Sequence, residues 1–171
     1  MTQDEIIDQS FSLNIQSDVK PPWFEWFVKR IGWSENNPAH DKELSKYWKL
    51  CHLNFKTCKG VKHSWCSLSI CASLDDSGYK SSGSAAASSY ANFGEKCEAK
   101  IGAIVPIRHV SGKHHVTLFA GWVDEKNMII KGLGGNQSNK ICIATYNLSG
   151  NNKGHDQLMN GFRFPVRKKE S

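Results

Sequence analysis

The sequence of 171 residues holds no apolar run near the roughly 18 to 20 residues that span a bilayer, so it predicts no transmembrane helix and no stable membrane insertion. Proline is scarce, at 5 beside 14 Gly, which excludes a collagen-like or proline-rich low-complexity chain. Internal repeats are missing, and so is any composition shift that would mark a second domain. The opening Met1-Thr2-Gln3-Asp4-Glu5 is acidic and lacks a basic n-region followed by an apolar core, so no Sec leader is expected. A protein working outside the cytoplasm would then be carried there by another route. The six cysteines contain no C-x-x-C pair, which removes the usual zinc-knuckle and thioredoxin-like patterns. Cys51, His52, Cys58 and His63 lie close together, but six residues between the two cysteines is not a usual ligand spacing. No metal and no cofactor are expected. Basic residues are scattered, and only Arg167-Lys168-Lys169 forms a cluster. Without a basic stripe interleaved with aromatics, nucleic acid is not the expected partner.

What remains is the composition of a globular protein, 39% hydrophobic and 22% charged, long enough to bury a core without disulfides. The net charge of +6 favours a polyanionic partner such as the bacterial wall, with its carboxylates and teichoic phosphates.

Residues 1–20 read as an irregular lead-in, and 21–171 as one domain. Pro21-Pro22 followed by Trp23, Phe24, Trp26, Phe27 and Ile31 predicts an amphipathic helix ending near Gly32. A second helix is expected from about Ala39 to Cys51, then a polar, basic loop from Asn54 to His63. Ser64 would cap a helix that places Cys66 in its first turn and ends at Asp75-Asp76-Ser77-Gly78. The small residues from Gly83 to Ala91 predict a further short helix. From Ile101 the texture turns to strands: Ile101 to Ile107, His115 to Val123, Met128 to Leu133, Ile141 to Tyr146 and Phe162 to Val166. Helices first and strands second predict an α+β domain, with helices on an antiparallel sheet.

A thiol becomes a nucleophile when held as thiolate, and a helix N-terminus favours that anion. Cys66 alone of the six is placed at an expected helix start, where first-turn amides form half of an oxyanion hole. The competing reading is a small buried packing thiol. Among seven histidines, His115 opens the strongest strand, fixed by the sheet and open at its end. His114 beside it must face the opposite side, so only one of the two meets the site. Gly132-Leu133-Gly134-Gly135-Asn136-Gln137-Ser138 follows on the next strand of a hairpin. Its glycines permit close approach, and Asn136 and Gln137 are amides able to orient an imidazole.

Trp65-Cys66-Ser67, Gly78 to Ala85 with Ala91-Asn92-Phe93-Gly94, His115-Val116, Leu133 to Ser138 and Phe162-Arg163-Phe164-Pro165 occur in that order. This ordered set, over about residues 21 to 167 and with Asn37-Pro38 after the first helix, resembles the NlpC/P60 and CHAP superfamily of cell-wall cysteine hydrolases. It is most similar to the phage-endolysin-like branch. The resemblance implies a papain-like α+β fold and peptidoglycan as substrate. Carried over by position, it implies Cys66 as nucleophile, His115 as general base and Asn136 as orienting residue. Trp65, Ser67, Gln137 and His114 would line the substrate site. The sequence departs from the family pattern before the histidine, where Lys113-His114 separate it from Gly112, and after the cysteine, at Ser67-Leu68-Ser69. Two settings fit: a phage lysin, or a type VI secretion effector acting in the target cell's periplasm and countered by a cognate immunity protein. The rival readings are a non-catalytic wall-binding module, favoured by six Trp and the positive charge, and a papain-like hydrolase acting on protein.

Overall fold

The computed structural model describes residues 20–53 and 64–166. The expectations for the lead-in, the 54–63 loop with Cys58 and His63, and the C-terminal basic cluster lie outside those residues, Lys20 excepted. Helix α1 spans Pro22–Val28, with its proline in the first turn where the missing N–H costs nothing. It buries Trp23, Phe24, Trp26 and Phe27, each contributing roughly 1.5–3 kcal/mol by leaving water. The Trp23 indole donates to Gly102 O at 2.8 Å and the Trp26 indole to Asp76 Oδ2 at 2.8 Å, so neither ring is buried with an unpaired N–H. The helix stops at Val28, a turn earlier than expected, and the chain reverses through Gly32 at φ +95°.

Helix α2, Pro38–Ser45, starts at Asn37, whose side-chain oxygen accepts from the amides of Ala39 and His40 at 3.0 and 3.4 Å. The single helix expected to Cys51 is instead α2 followed by a 3-10 helix, Lys46–Cys51, ended by His52 in the left-handed region. Helix α3, Cys66–Asp76, begins where the sequence predicts, but Trp65 occupies the capping position and the expected Ser64 cap is not made. Every residue from Cys66 to Leu74 is buried, which its serines tolerate because each hydroxyl donates to a backbone carbonyl. Ser69 donates to Cys66 O at 2.7 Å, Ser73 to Ile70 O at 2.8 Å and Ser67 to Ser84 O at 2.6 Å. The helix expected over Gly83–Ala91 shrinks to a 3-10 turn, Ala87–Tyr90. Among the described residues no helix is long and apolar enough to cross a membrane.

Seven strands form one antiparallel sheet: β1 (Glu95–Cys97), β2 (Ile104–Arg108), β3 (His114–Asp124), β4 (Ile129–Gln137), β5 (Lys140–Asn147), β6 (Gln157–Leu158) and β7 (Phe162–Phe164). The order is β1-β7-β2-β3-β4-β5, with β6 also on β2. Short β1 and β6 escaped the sequence reading, being too brief to show a period. The protein is thus α+β, with helices preceding an antiparallel sheet as predicted. One face, through Val116, Leu118, Ala120 and Leu133, packs with the helices around Trp23, Leu68 and Ile70. The other, through Val105, Ile107, Phe119 and Ile130, forms a second apolar cluster closed by Leu148 and Phe162.

Candidate active site

Cys66 is the first helical residue of α3, so its sulfur sits among N-terminal amides that have no partner inside the helix. The amides of Ser67 and Cys66 itself stabilise the thiolate, joined by the backbone N–H of Val116 from β3. Strand register explains that third donor. Phe119 N donates to Ala103 O across β2 at 2.8 Å, so amides alternate and the Val116 amide points towards β4. Yet the β3–β4 pairing ends at Leu118 opposite Leu133. Beyond that point β4 pairs with β5 alone, and the N-terminus of α3 approaches the gap.

Glycine makes the approach sterically admissible. A Cβ on Gly135 would lie 2.4 Å from Ser69 Oγ and 2.6 Å from Trp65, and one on Gly134 only 2.7 Å from Thr117 Oγ1. The sequence expectation of close approach at these glycines holds. The left-handed backbone angle falls instead on Asn136, at φ +55°.

His115 pairs with Ile107 and lies on the face of the second apolar cluster, opposite to Val116. Its Nε2 is 3.1 Å from Gln137 Oε1 and 3.0 Å from the Tyr146 hydroxyl. Protonation follows from Gln137. Its amide nitrogen donates to Gly132 O at 3.0 Å and Cys142 O at 2.6 Å, which fixes Oε1 towards the ring as an acceptor. The Tyr146 hydroxyl donates to the same Oε1 at 2.9 Å, so its oxygen also accepts. Nε2 therefore carries the proton, shared between Gln137 and Tyr146, and Nδ1 is the bare, basic nitrogen. Nδ1 makes no hydrogen bond among the described residues.

Two expectations about this centre are corrected. Asn136 makes no hydrogen bond to His115; Gln137 does. The register passes from Gly134 opposite Cys142 to Gln137 opposite Lys140, one residue more on β4 than on β5, and this bulge at Asn136 swings Gln137 onto the imidazole's face. The second correction concerns the thiol. Burial pushes Cys66 above its ordinary pKa of 9.0 despite the three amides, because the side chain is only 2% exposed. Burial likewise pushes His115 below 6.5, outweighing the upward pull of Gln137 and Asp156. The resting pair is a neutral thiol and a neutral imidazole, and no hydrogen bond joins them.

Of the residues expected to meet substrate, Trp65 is fully buried, its indole donating to Glu35 Oε2 at 2.9 Å, and Ser67 is fully buried against Ser84. The core requires both. Gln137, 4% exposed, serves the histidine instead. His114 is exposed, and with Ile107, His109, Lys113, His115 and Tyr146 it lines a cleft of about 340 Å³; Cys66 is not among its lining residues. Tyr146 was missed. The signal available was its strand, which carries Cys142, Ala144 and Tyr146 on one face: the first two lie opposite Gly134 and Gly132, and a Cβ on Gly132 would lie 2.9 Å from the Tyr146 ring.

No family model, no curated protein and no solved structure matches this chain.

Proposed function

We propose that the protein hydrolyses an amide bond of the peptidoglycan peptide stem, by a thiol mechanism on a papain-like variant of this α+β fold. The observation that carries the chemistry is the bare Nδ1 of His115, fixed as a base by the Gln137–Tyr146 network beside a strand whose next amide meets the Cys66 sulfur. His115 Nδ1 removes the thiol proton as the sulfur attacks the carbonyl carbon, which suits a pair that rests neutral better than a preformed ion pair. The Cys66 amide faces the developing oxyanion. The proton then passes to the leaving amine, the C–N bond breaks, and water hydrolyses the thioester. Substrate reaches the sulfur through the gap between β3 and β4, so turnover includes a movement that opens Cys66.

Peptidoglycan as substrate rests on the ordered motifs and on the net charge of +6. The wall-binding alternative loses much of its support, because Trp23, Trp26, Trp48 and Trp65 are core residues and unavailable for stacking on sugars. The setting proposed is that of a phage lysin or a secreted antibacterial effector with an immunity partner. The test is incubation of the purified protein with peptidoglycan, followed by mass spectrometry of the soluble muropeptides. Wild type releases stem-peptide fragments and Cys66→Ala releases none. Equal release by both sinks the thiol mechanism, and the cleaved bond is read from the fragment masses.

A further inference from the structure

A pair of thiols lies away from the candidate site. Cys51 ends the 3-10 helix that follows α2, and Cys71 sits in the middle of α3. The two elements pack together, both side chains belong to the same apolar cluster, and the Cys51 thiol is within hydrogen-bonding reach of Cys71. Cys71 is also 3.1 Å from the Tyr90 hydroxyl and 4.0 Å from Ser82 Oγ, an unusually polar lining for a residue with no exposed surface.

We propose that Cys51 and Cys71 are a disulfide-forming pair, which clamps the end of the 3-10 helix to α3 when the protein meets an oxidising compartment. Both thiols sit on elements that already pack against each other, so the fold itself holds the two cysteines side by side. Disulfides persist outside reducing cytoplasm, and a clamp between neighbouring helices stabilises by restricting the unfolded chain. Contact with Cys51, and hydroxyl donors from Tyr90, Ser81 and Ser82, hold the Cys71 thiol below its ordinary value and supply a ready thiolate. The oxidant is a small-molecule disulfide. Cys51, 6% exposed and the more accessible of the two, displaces one thiolate from it to form a mixed disulfide. The Cys71 thiolate then attacks the Cys51 sulfur and expels the second. Two cysteine thiols and one external disulfide become one internal disulfide and two external thiols.

The experiment treats the folded protein with oxidised glutathione, blocks remaining thiols with iodoacetamide, and maps peptides without reduction. The expected result is a Cys51–Cys71 cross-linked peptide, with Cys97 and Cys142 alkylated and Tm raised by roughly 5–15 °C. Dithiothreitol reverses the rise, and Cys51→Ser or Cys71→Ser abolishes it. Should Cys71→Ser fail to fold, Cys51→Ser, at the end of its helix, carries the comparison alone. Cys51 joined to Cys58, a glutathione adduct on Cys51 that never closes, or two alkylated cysteines would each overturn the proposal.

Discussion

A buried imidazole that rests neutral ties both stability and activity to pH. Because the folded-state value of His115 lies below 6.5, the unfolded chain takes up a proton that the folded chain refuses. The stability this ring contributes is complete above about pH 6.5 and is lost as pH falls towards the lowered value. Tm followed from pH 8 to pH 5, roughly the range over which histidine titrates, should therefore fall, and His115→Gln should remove that part of the fall. Cys66 has the opposite sign: burial raises its thiol, so alkylation by iodoacetamide should reach half its maximal rate above about pH 9, read by peptide mass spectrometry. A midpoint below pH 8 would mean that the imidazole already holds the thiol proton at rest. In the proposed reaction Gln137 is a positioning residue for His115. Its replacement by Ala should lower kcat by about 10²-fold, the usual effect of a misplaced catalytic group, with little change in KM. The acid limb of the pH profile should also move to lower pH, because the lost hydrogen bond is one that raises the imidazole. A purely structural role would leave that limb in place.

At the level of elements, the α3 N-terminus and the β3–β4 hairpin meet only because Gly135 has no side chain. Gly135→Ala places a methyl 2.4 Å from Ser69 Oγ and 2.9 Å from Ser69 Cβ, and should cost about 1–3 kcal/mol in urea unfolding. Ser69→Gly removes both atoms, so the double variant should recover part of that loss. Strict additivity would show that the two positions do not share the contact. The sequence made the start of α3 legible, since Cys66 follows a polar stretch and heads an apolar run. Strand alternation also showed that His114 and His115 lie on opposite faces, but not which of the two meets the site. The sequence did not show that Gln137 rather than Asn136 reaches the ring. Alternation from Gly134 assigns the inward face to residue 136, and only the extra residue of the bulge, with Asn136 at positive φ, moves that face to 137. Asn is one of the few non-glycine residues at ease in the left-handed region, so its side-chain chemistry concealed a backbone role. The end near Cys51 was legible, but the change from α2 to a 3-10 helix at Lys46 was hidden, because the apolar spacing of Leu44, Tyr47, Trp48 and Cys51 fits an α-helix as well as a tighter one.

For the whole molecule, the order of elements was readable because helical and strand-like texture occupy separate halves of the chain. Tyr146 was not, because it joins His115 only through the pairing of β4 with both neighbours, which no local window contains. The tryptophans show the same difference of scale. Counted in sequence, six suggest a sugar-binding surface; in the fold, four of them, on α1, on the 3-10 helix and just before α3, are buried in the core. Under the proposed function, recognition of an anionic wall then falls to charge, and the cleft beside His115 is lined by Lys113 as well as by Asp156. Attraction between exposed charges is screened beyond a Debye length of about 10 Å at 0.1 M salt and about 3 Å at 1 M. Fragment release from peptidoglycan should accordingly slow as sodium chloride rises, through KM and not kcat, because chemistry inside the gap is shielded from mobile ions. Lys113→Gln should weaken the dependence on salt while leaving kcat within about twofold, since exposed charges act chiefly on encounter. A kcat that falls with salt while KM stays constant would place the salt-sensitive step inside the fold, at the opening of Cys66, and would exclude charge steering as the basis of substrate capture.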